Sequence, residues 1–307
     1  MYEATCNGTF SYVGQAFGYG VRPRLHITAR SADETPTRNY RDAFIELTAD
    51  GVTLDRPTTD AGAISNVDGD LDVAVTPAAG SNDQLADVGP DDSGDNGVLV
   101  YTLPVDDRYT YDKVHNARIP VPAQGPTINT DLPIGIDDVT DGDGVSEDSA
   151  DSIDAFTPAG VQIRFGRLVI DDAFGPEVAP VEQRWRIEYW QGTNWATNTA
   201  DGCTTLALAD DVDLAGDSAP PPADGDQTVT LNDSGGTGET GITSGAISFT
   251  GGTATVIYDE PGEDERGHIG VATALGTDHH LLIDADADGN NDGPYDADPS
   301  ARVTFGI

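Results

Sequence analysis

Trp185-Arg186-Ile187-Glu188-Tyr189-Trp190-Gln191-Gly192-Thr193-Asn194-Trp195 is the stretch from which the fold is read. Trp185, Ile187 and Tyr189 alternate with other residues, the period of two that sets one group of side chains on one face of a strand. Gln191-Gly192-Thr193-Asn194 supplies turn chemistry before the chain resumes at Trp195, which predicts a hairpin. The four aromatics, Trp185, Tyr189, Trp190 and Trp195, admit two readings. Flat rings suit stacking on a sugar, but large rings on one strand face are also how a sheet sandwich is filled. The shared face of Trp185, Ile187 and Tyr189 favours the core. Trp190, on the opposite face, is the candidate ligand-binding residue.

The same period of two runs outward in both directions. Upstream, strands are expected at Phe10–Val13, at Arg24–Ala29 with Leu25, Ile27 and Ala29 on one face, at Phe44–Thr48, and at Gly97–Leu103 after an acidic, glycine-rich loop over Gly80–Asn96. Downstream they are expected at Val161–Phe165, Leu168–Ile170, Thr228–Leu231, Ala246–Phe249, Ala254–Tyr258, Ile269–Ala272, His280–Ile283 and Arg302–Ile307. Residues Ala207–Asp226, with Pro220-Pro221-Pro222, read as a long linker-like loop. Turn signals recur too often for long helices. The expected fold is all-β: two tandem antiparallel β-sandwich (immunoglobulin-like) domains with long acidic loops. The first covers residues 1–140, an acidic Gly/Asp-rich junction 141–160, and the second domain 161–307. The two halves share strand spacing but not sequence.

Composition narrows the function. Against 54 acidic residues stand 15 basic ones, a formal charge of −39, and Lys113 is the sole lysine. No basic patch for phosphate can be assembled, so nucleic acid is excluded as a partner and an anionic membrane surface is disfavoured. Three readings of the charge stand: a solvated, self-repelling surface, adaptation to salt of the halophilic kind, or carboxylates gathered around hard cations. No apolar run reaches membrane-spanning length. Met1 is followed at once by Tyr2-Glu3-Ala4-Thr5, so an exported protein is expected to carry this chain as a mature or excised piece. Cys6 and Cys203 lack CxxC spacing, which excludes a zinc or thioredoxin-like motif; an even count allows one disulfide.

A family resemblance enters with particular residues. Phe165-Gly166-Arg167-Leu168, Asp171-Asp172-Ala173-Phe174-Gly175, Glu188-Tyr189-Trp190-Gln191-Gly192 and Asn198-Thr199-Ala200-Asp201-Gly202-Cys203-Thr204 follow in the order found in the C-terminal region of MshQ-type proteins. Cys6 before Phe10-Ser11-Tyr12-Val13-Gly14-Gln15, with Asn39-Tyr40, resembles the family's opening. Asp286-Ala287-Asp288-Gly289 and Asp298 through Gly306 resemble its close. These proteins are associated with biogenesis of the mannose-sensitive haemagglutinin type IV pilus. The resemblance implies an exported bacterial surface protein linked to pili and attachment, with other pilus or surface-protein domains as partners and no catalytic residues to carry over. Both cysteines lie in matching anchors, so a Cys6–Cys203 bond is expected; two separate buried thiols are the rival.

Two carboxylate clusters suit Ca²⁺, a hard cation that prefers oxygen ligands. Asp284, Asp286, Asp288, Asn290, Asp292 and Asp296 alternate through a glycine turn. The run begins like a helix–loop–helix calcium loop but has Tyr295 where that loop needs glutamate. A strand-to-strand calcium loop and a plain solvated turn remain the two readings. Asp141, Asp143, Glu147 and Asp148, with Asp151 beyond, form a second cluster at the junction. Asn66, Asp68, Asp70 and Asp72 read as one exposed strand face. His279 and His280 are adjacent and would point to opposite faces; His26, His115 and His268 are isolated. No Gly-x-Ser-x-Gly elbow or glycosidase carboxylate pair accompanies them. The expectation is a non-catalytic extracellular structural or presenting module of a pilus-associated adhesin. The alternatives are a carbohydrate- or protein-binding adhesive domain using exposed aromatics and, less favoured, a surface hydrolase.

Overall fold

The computed structural model describes residues 2–6, 10–37, 44–55, 73–76, 85–87, 98–103, 108–111, 128–129, 134–146, 162–215, 227–232, 238–242, 245–275, 280–283 and 297–306. Within them the chain is nearly all β, in two tandem units. The first half contributes β1 (Tyr2–Glu3), β2 (Phe10–Tyr12), β3 (Gly18–Tyr19), β4 (Arg24–Thr28), β5 (Val52–Asp55), β6 (Val73–Thr76), β7 (Leu85–Asp87), β8 (Val98–Thr102), β9 (Arg108–Tyr111), β10 (Ile128–Asn129), β11 (Gly135–Val139) and β12 (Gln162–Arg164). β8 lies between β4 and β7, β5 pairs with β11, and β6 with β9, all antiparallel. Leu99 and Tyr101 of β8, Val52 of β5 and Val139 of β11, with Leu103 and Ile134 just beyond strand ends, belong to one apolar core.

The second half adds β13 (Gly166–Ile170), β14 (Ala173–Gly175), β15 (Val181–Trp190), β16 (Trp195–Thr197), β17 (Thr205–Ala207), β18 (Val212–Ala215), β19 (Gln227–Thr230), β20 (Glu239–Ile242), β21 (Ala246–Ser248), β22 (Thr253–Tyr258), β23 (Gly267–Thr273) and β24 (Ser300–Phe305), with one helical turn, α1 (Leu208–Asp211). One sheet sets β15 between β13 and the pair β22 and β16; the other runs β14-β24-β23-β18. Leu168, Trp185, Ile187 and Val256 of the first sheet meet Val212, Leu214, Ile269, Val271, Val303 and Phe305 of the second in one core. Two facing sheets, with the opening strand divided so that β13 edges one and β14 the other, form the immunoglobulin-like arrangement expected.

Several local expectations are corrected. Phe44–Thr48 is not a strand: Phe44 is exposed, and of its apolar residues only Leu47 is buried. His280–Ile283 is a turn with a single bridge from Ile283 to Ala297. The loops expected over Gly80–Asn96 and Ala207–Asp226 contain β7 and, in the latter, α1 and β18. Val212 and Leu214 alternate inward like any half-buried strand. Pairing is not wholly antiparallel either: β14 runs parallel to β24, and β2 parallel to β12.

That last pairing places the candidate site. The β2 residues Phe10 and Tyr12, with Cys6, belong to the core of the second half. In exchange Phe165, Trp190 and Trp195 pack against the core of the first. The two units are interlocked at their junction.

Candidate functional site at the junction

The site starts from the Asn198–Thr204 turn, whose polar residues fold back on one another. The Asp201 backbone N–H donates to the Asn198 carbonyl at 2.8 Å, closing the turn. Asp201 Oδ1 then accepts from the backbone N–H groups of Cys203 (3.1 Å) and Thr204 (3.0 Å), and Oδ2 accepts from the Thr204 hydroxyl at 2.7 Å. Tyr12, arriving from β2, donates its hydroxyl to Asp201 Oδ2 at 2.6 Å. The same phenol oxygen accepts from Asn198 Nδ2, so it is used as donor and as acceptor. Tyr12, Asn198 and Asp201 are all fully buried. A buried carboxylate is tolerable because four donors meet it.

Neighbouring groups complete the node. Arg164 of β12 donates from Nη1 to Asn198 Oδ1 and lies over the Phe10 ring, 4.2 Å from its centroid, and the Tyr189 ring at 5.0 Å. Phe10 meets Tyr12 edge-on at 5.0 Å, and His280 stacks on Tyr12 at 5.3 Å. Burial raises the Tyr12 phenol far above its ordinary value, and the Asp201 charge raises it further. Burial lowers Arg164, opposed by Tyr189, Tyr12 and Asp201. Two glycines admit this packing. A Cβ on Gly166 would stand 2.5 Å from the Tyr12 ring. Gly252, at φ +69°, would drive one to 2.4 Å from the Asn198 carbonyl oxygen. Gly252 also donates its N–H to the Asp201 carbonyl and accepts from Ile187 N–H, both at 2.8 Å.

Beside the node, Cys6 and Cys203 are joined by a disulfide with Cα atoms 5.4 Å apart. This is the expected pairing, and Cys6 is fully buried. Asp201 Oδ1 lies 3.9 Å from the Cys6 sulfur and 3.5 Å from that of Cys203. The three side chains have the spacing of a metal site. Bonded sulfurs and a carboxylate saturated with donors make it a structural joint instead.

The aromatic hairpin forms as expected, with Trp190 opposite Trp195 and Glu188 opposite Thr197. Trp185 is fully buried, and its indole N–H donates to Gln183 Oε1 at 2.9 Å. The Tyr258 hydroxyl donates to the same oxygen at 2.7 Å. Trp190 does take the opposite face, and that face turns to the first core. There Trp190 meets Trp195 edge-on at 5.5 Å, with Arg167 4.1 Å above the Trp195 ring. Arg167 continues to Glu188, Glu188 to Arg186, and Arg186 to Asp171, so charges on this face are paired in a ladder.

The carboxylate loops are described only in part. Asp284, Asp286, Asp288, Asn290, Asp292 and Asp296 lie outside the described residues, as do Glu147, Asp148, Asp151, His279 and the Asn66–Asp72 run. Asp141 and Asp143 are described. Asp141 Oδ1 accepts from Asp143 N–H (3.1 Å) and Val145 N–H (2.9 Å), the hydrogen bonding of a tight turn closed by the Thr140–Ser146 bridge. In the sequence Tyr12, Asn198 and Asp201 stand out only as members of matching anchors, and Cys203 as a disulfide candidate with Cys6. The signal that would have joined them is a polar, glycine-containing turn ending in a cysteine whose partner precedes a β2-type strand.

Residues 1–161 match the third domain, and residues 164–307 the fourth domain, of one family. No curated relative matches the chain. Among solved structures, a chimeric titin Z1Z2-Z1Z2 tandem functionalized with a GRGDS exogenous peptide from fibronectin is 9% identical. It covers all of this chain and 96% of its own, at a TM-score of 0.22. The titin domains z1z2 in complex with telethonin are 8% identical, covering all of this chain and 92% of theirs, also at 0.22. Overlap that slight carries no argument. The two family matches span nearly every residue, and the chain belongs to the DUF6701 family, as its third and fourth domains.

Proposed function

We propose that this chain is a non-catalytic, extracellular structural module that holds and presents other domains of a surface protein, of the MshQ-like, pilus-associated kind. The observation that carries the reading is the junction: a disulfide ties residue 6 to residue 203, and a buried node in which Asp201 meets four donors ties residue 12 to residue 201. A chain meant to move at its joint would gain nothing from burying a carboxylate there. The disulfide also favours an oxidising compartment. Among the described residues no helix is long and apolar enough to cross a membrane.

The node argues against use as an active site. Tyr12 is fully buried and held protonated, and both Asp201 oxygens are taken, so substrate has neither a path nor a free group to meet. Adhesion through Trp190 is the second reading. Its partial burial against the first core leaves only part of the ring for a ligand. Ca²⁺ on the Asp284–Asp296 and Asp141–Asp148 clusters belongs to the same proposal, supported by carboxylate spacing in the sequence.

The test replaces residues 1–307 within the complete surface protein by an unrelated rigid β spacer of similar length. In parallel, the isolated chain is assayed for glycan and surface binding. Attachment retained with the replacement, and no saturable binding by the isolated chain, is expected. Saturable binding abolished by Trp190→Ala would give the adhesive reading instead.

A further inference from the structure

We propose that the Cys6–Cys203 bond makes the two family domains mechanically unequal: when the chain is pulled from its ends, the fourth carries the tension and the third hangs outside its path. The inference gives each half a role within the presenting reading above. It rests on that reading only for the chain being under tension in use.

The argument is topological. Tension entering at the N-terminus reaches Cys6, crosses the sulfur bridge to Cys203 and continues toward residue 307. The bridge spans a sequence separation of 197, and everything inside it is a closed loop that pulling cannot lengthen. That loop holds all but the first few residues of the third domain, together with β13 to β16 of the fourth. On the N-terminal side only β1, two residues paired with β3, precedes the bridge.

Direction favours resistance. Cys203 lies at the pole of the second sandwich where Ile187 N–H meets Gly252 and Gly252 N–H meets Asp201. β24 ends at the other pole. There Gly306 N–H donates to the Gly175 carbonyl at 2.9 Å, and a Cβ on Gly175 would fall 2.3 Å from the Val181 side chain. The β15 run from Val181 to Ile187 separates these poles by about 20 Å. Tension therefore draws β24 along its own axis, away from Cys203. It slides against six residue pairs with antiparallel β23 and three with parallel β14. A strand slid along its axis must break its ladder as a set, whereas a peeled strand breaks it bond by bond. The Cys6 sulfur is fully buried and Cys203 half-buried, so a dissolved thiol reaches the bridge more slowly while the second sandwich is closed.

The experiment stretches the complete oxidised chain between handles fused outside its two ends. Lengthening is expected to stop at about 400 Å of contour. Adding a thiol while the opened molecule is held should then release one further gain of about 700 Å. The same thiol applied before opening should act at least tenfold more slowly. Extension toward about 1,100 Å without thiol would overturn the proposal, as would equal cleavage before and after opening. Saturable glycan binding by the isolated chain would sink the presenting reading and leave these lengths unchanged. The two failures are distinguishable.

Discussion

The Tyr12 hydroxyl donates to Asp201 Oδ2 over 2.6 Å, joining residues 189 positions apart inside the core of the second sandwich. The bond links a strand of the third family domain to a turn of the fourth. Both residues are fully buried, Asp201 accepts from four donors, and the disulfide stands beside it. Removing either member strands the other, and an unpaired buried charge costs more than the bond itself contributes.

Tyr12→Phe keeps the ring and removes the donor to Asp201 and the acceptor for Asn198. A loss of about 2 kcal/mol is expected in urea unfolding, and about 4 kcal/mol for Asp201→Ala. The double variant should lose at least about 1 kcal/mol less than the two together, since both break the same network. Strict additivity would mean that the two groups act independently.

Gly252→Ala tests the backbone beneath the node. The added methyl meets the Asn198 carbonyl oxygen at a left-handed φ, so a destabilisation above about 2 kcal/mol is expected in the same unfolding assay. Gly144→Ala is the control: its φ is also positive, at +79°, but nothing lies within 4 Å of the new atom. It should cost about 1 kcal/mol, from backbone strain alone.

Alkali should unfold the chain through its buried phenols. Tyr12 and Tyr258 are both raised by burial, so their stabilising contribution is complete below the unfolded value of about 10 and is lost as pH rises above it. In that range each buried phenol adds a slope of about 1.4 kcal/mol per pH unit. Thermal melts from pH 9 to 12 should show Tm falling for the parent chain and falling less steeply for Tyr12→Phe. Parallel curves would mean that Tyr12 ionises freely in the folded state.

Chelation tests the carboxylate loops. With Ca²⁺ bound as proposed, a chelator should lower Tm by an amount that added NaCl does not restore. Full recovery in NaCl would mark the charge as plain repulsion, which salt screens.

Much of this was legible in the sequence. Period-two alternation carries the all-β class, the Trp185–Trp195 hairpin and the inward face of Trp185 and Ile187, because burial on one strand face leaves a local pattern; Tyr189, at the strand's end, is only half-buried. Val212-Asp213-Leu214 carries the same pattern, but its shortness and its place between a helical turn and a proline run hide it within a loop-like stretch. Phe44–Thr48 shows the opposite failure: among the described residues its apolar alternation forms no strand, and its Glu46 carbonyl accepts from the Gly142 N–H instead. The junction was the least legible feature. Parallel pairing of β2 with β12 and the Tyr12–Asp201 bond depend on residues far apart in the chain, and no local period encodes them. The disulfide was expected from matching anchors, not from spacing.

The central claim is that the N-terminal segment completes the second sandwich. The direct measurement is folding of residues 162–307, followed by near-ultraviolet dichroism and amide exchange, with and without a peptide of residues 1–15. The account predicts a loosely packed fragment that gains native dichroism and protection when the peptide is added and Cys6 pairs with Cys203. A fragment that folds cooperatively alone, with the stability of the complete chain, would contradict it.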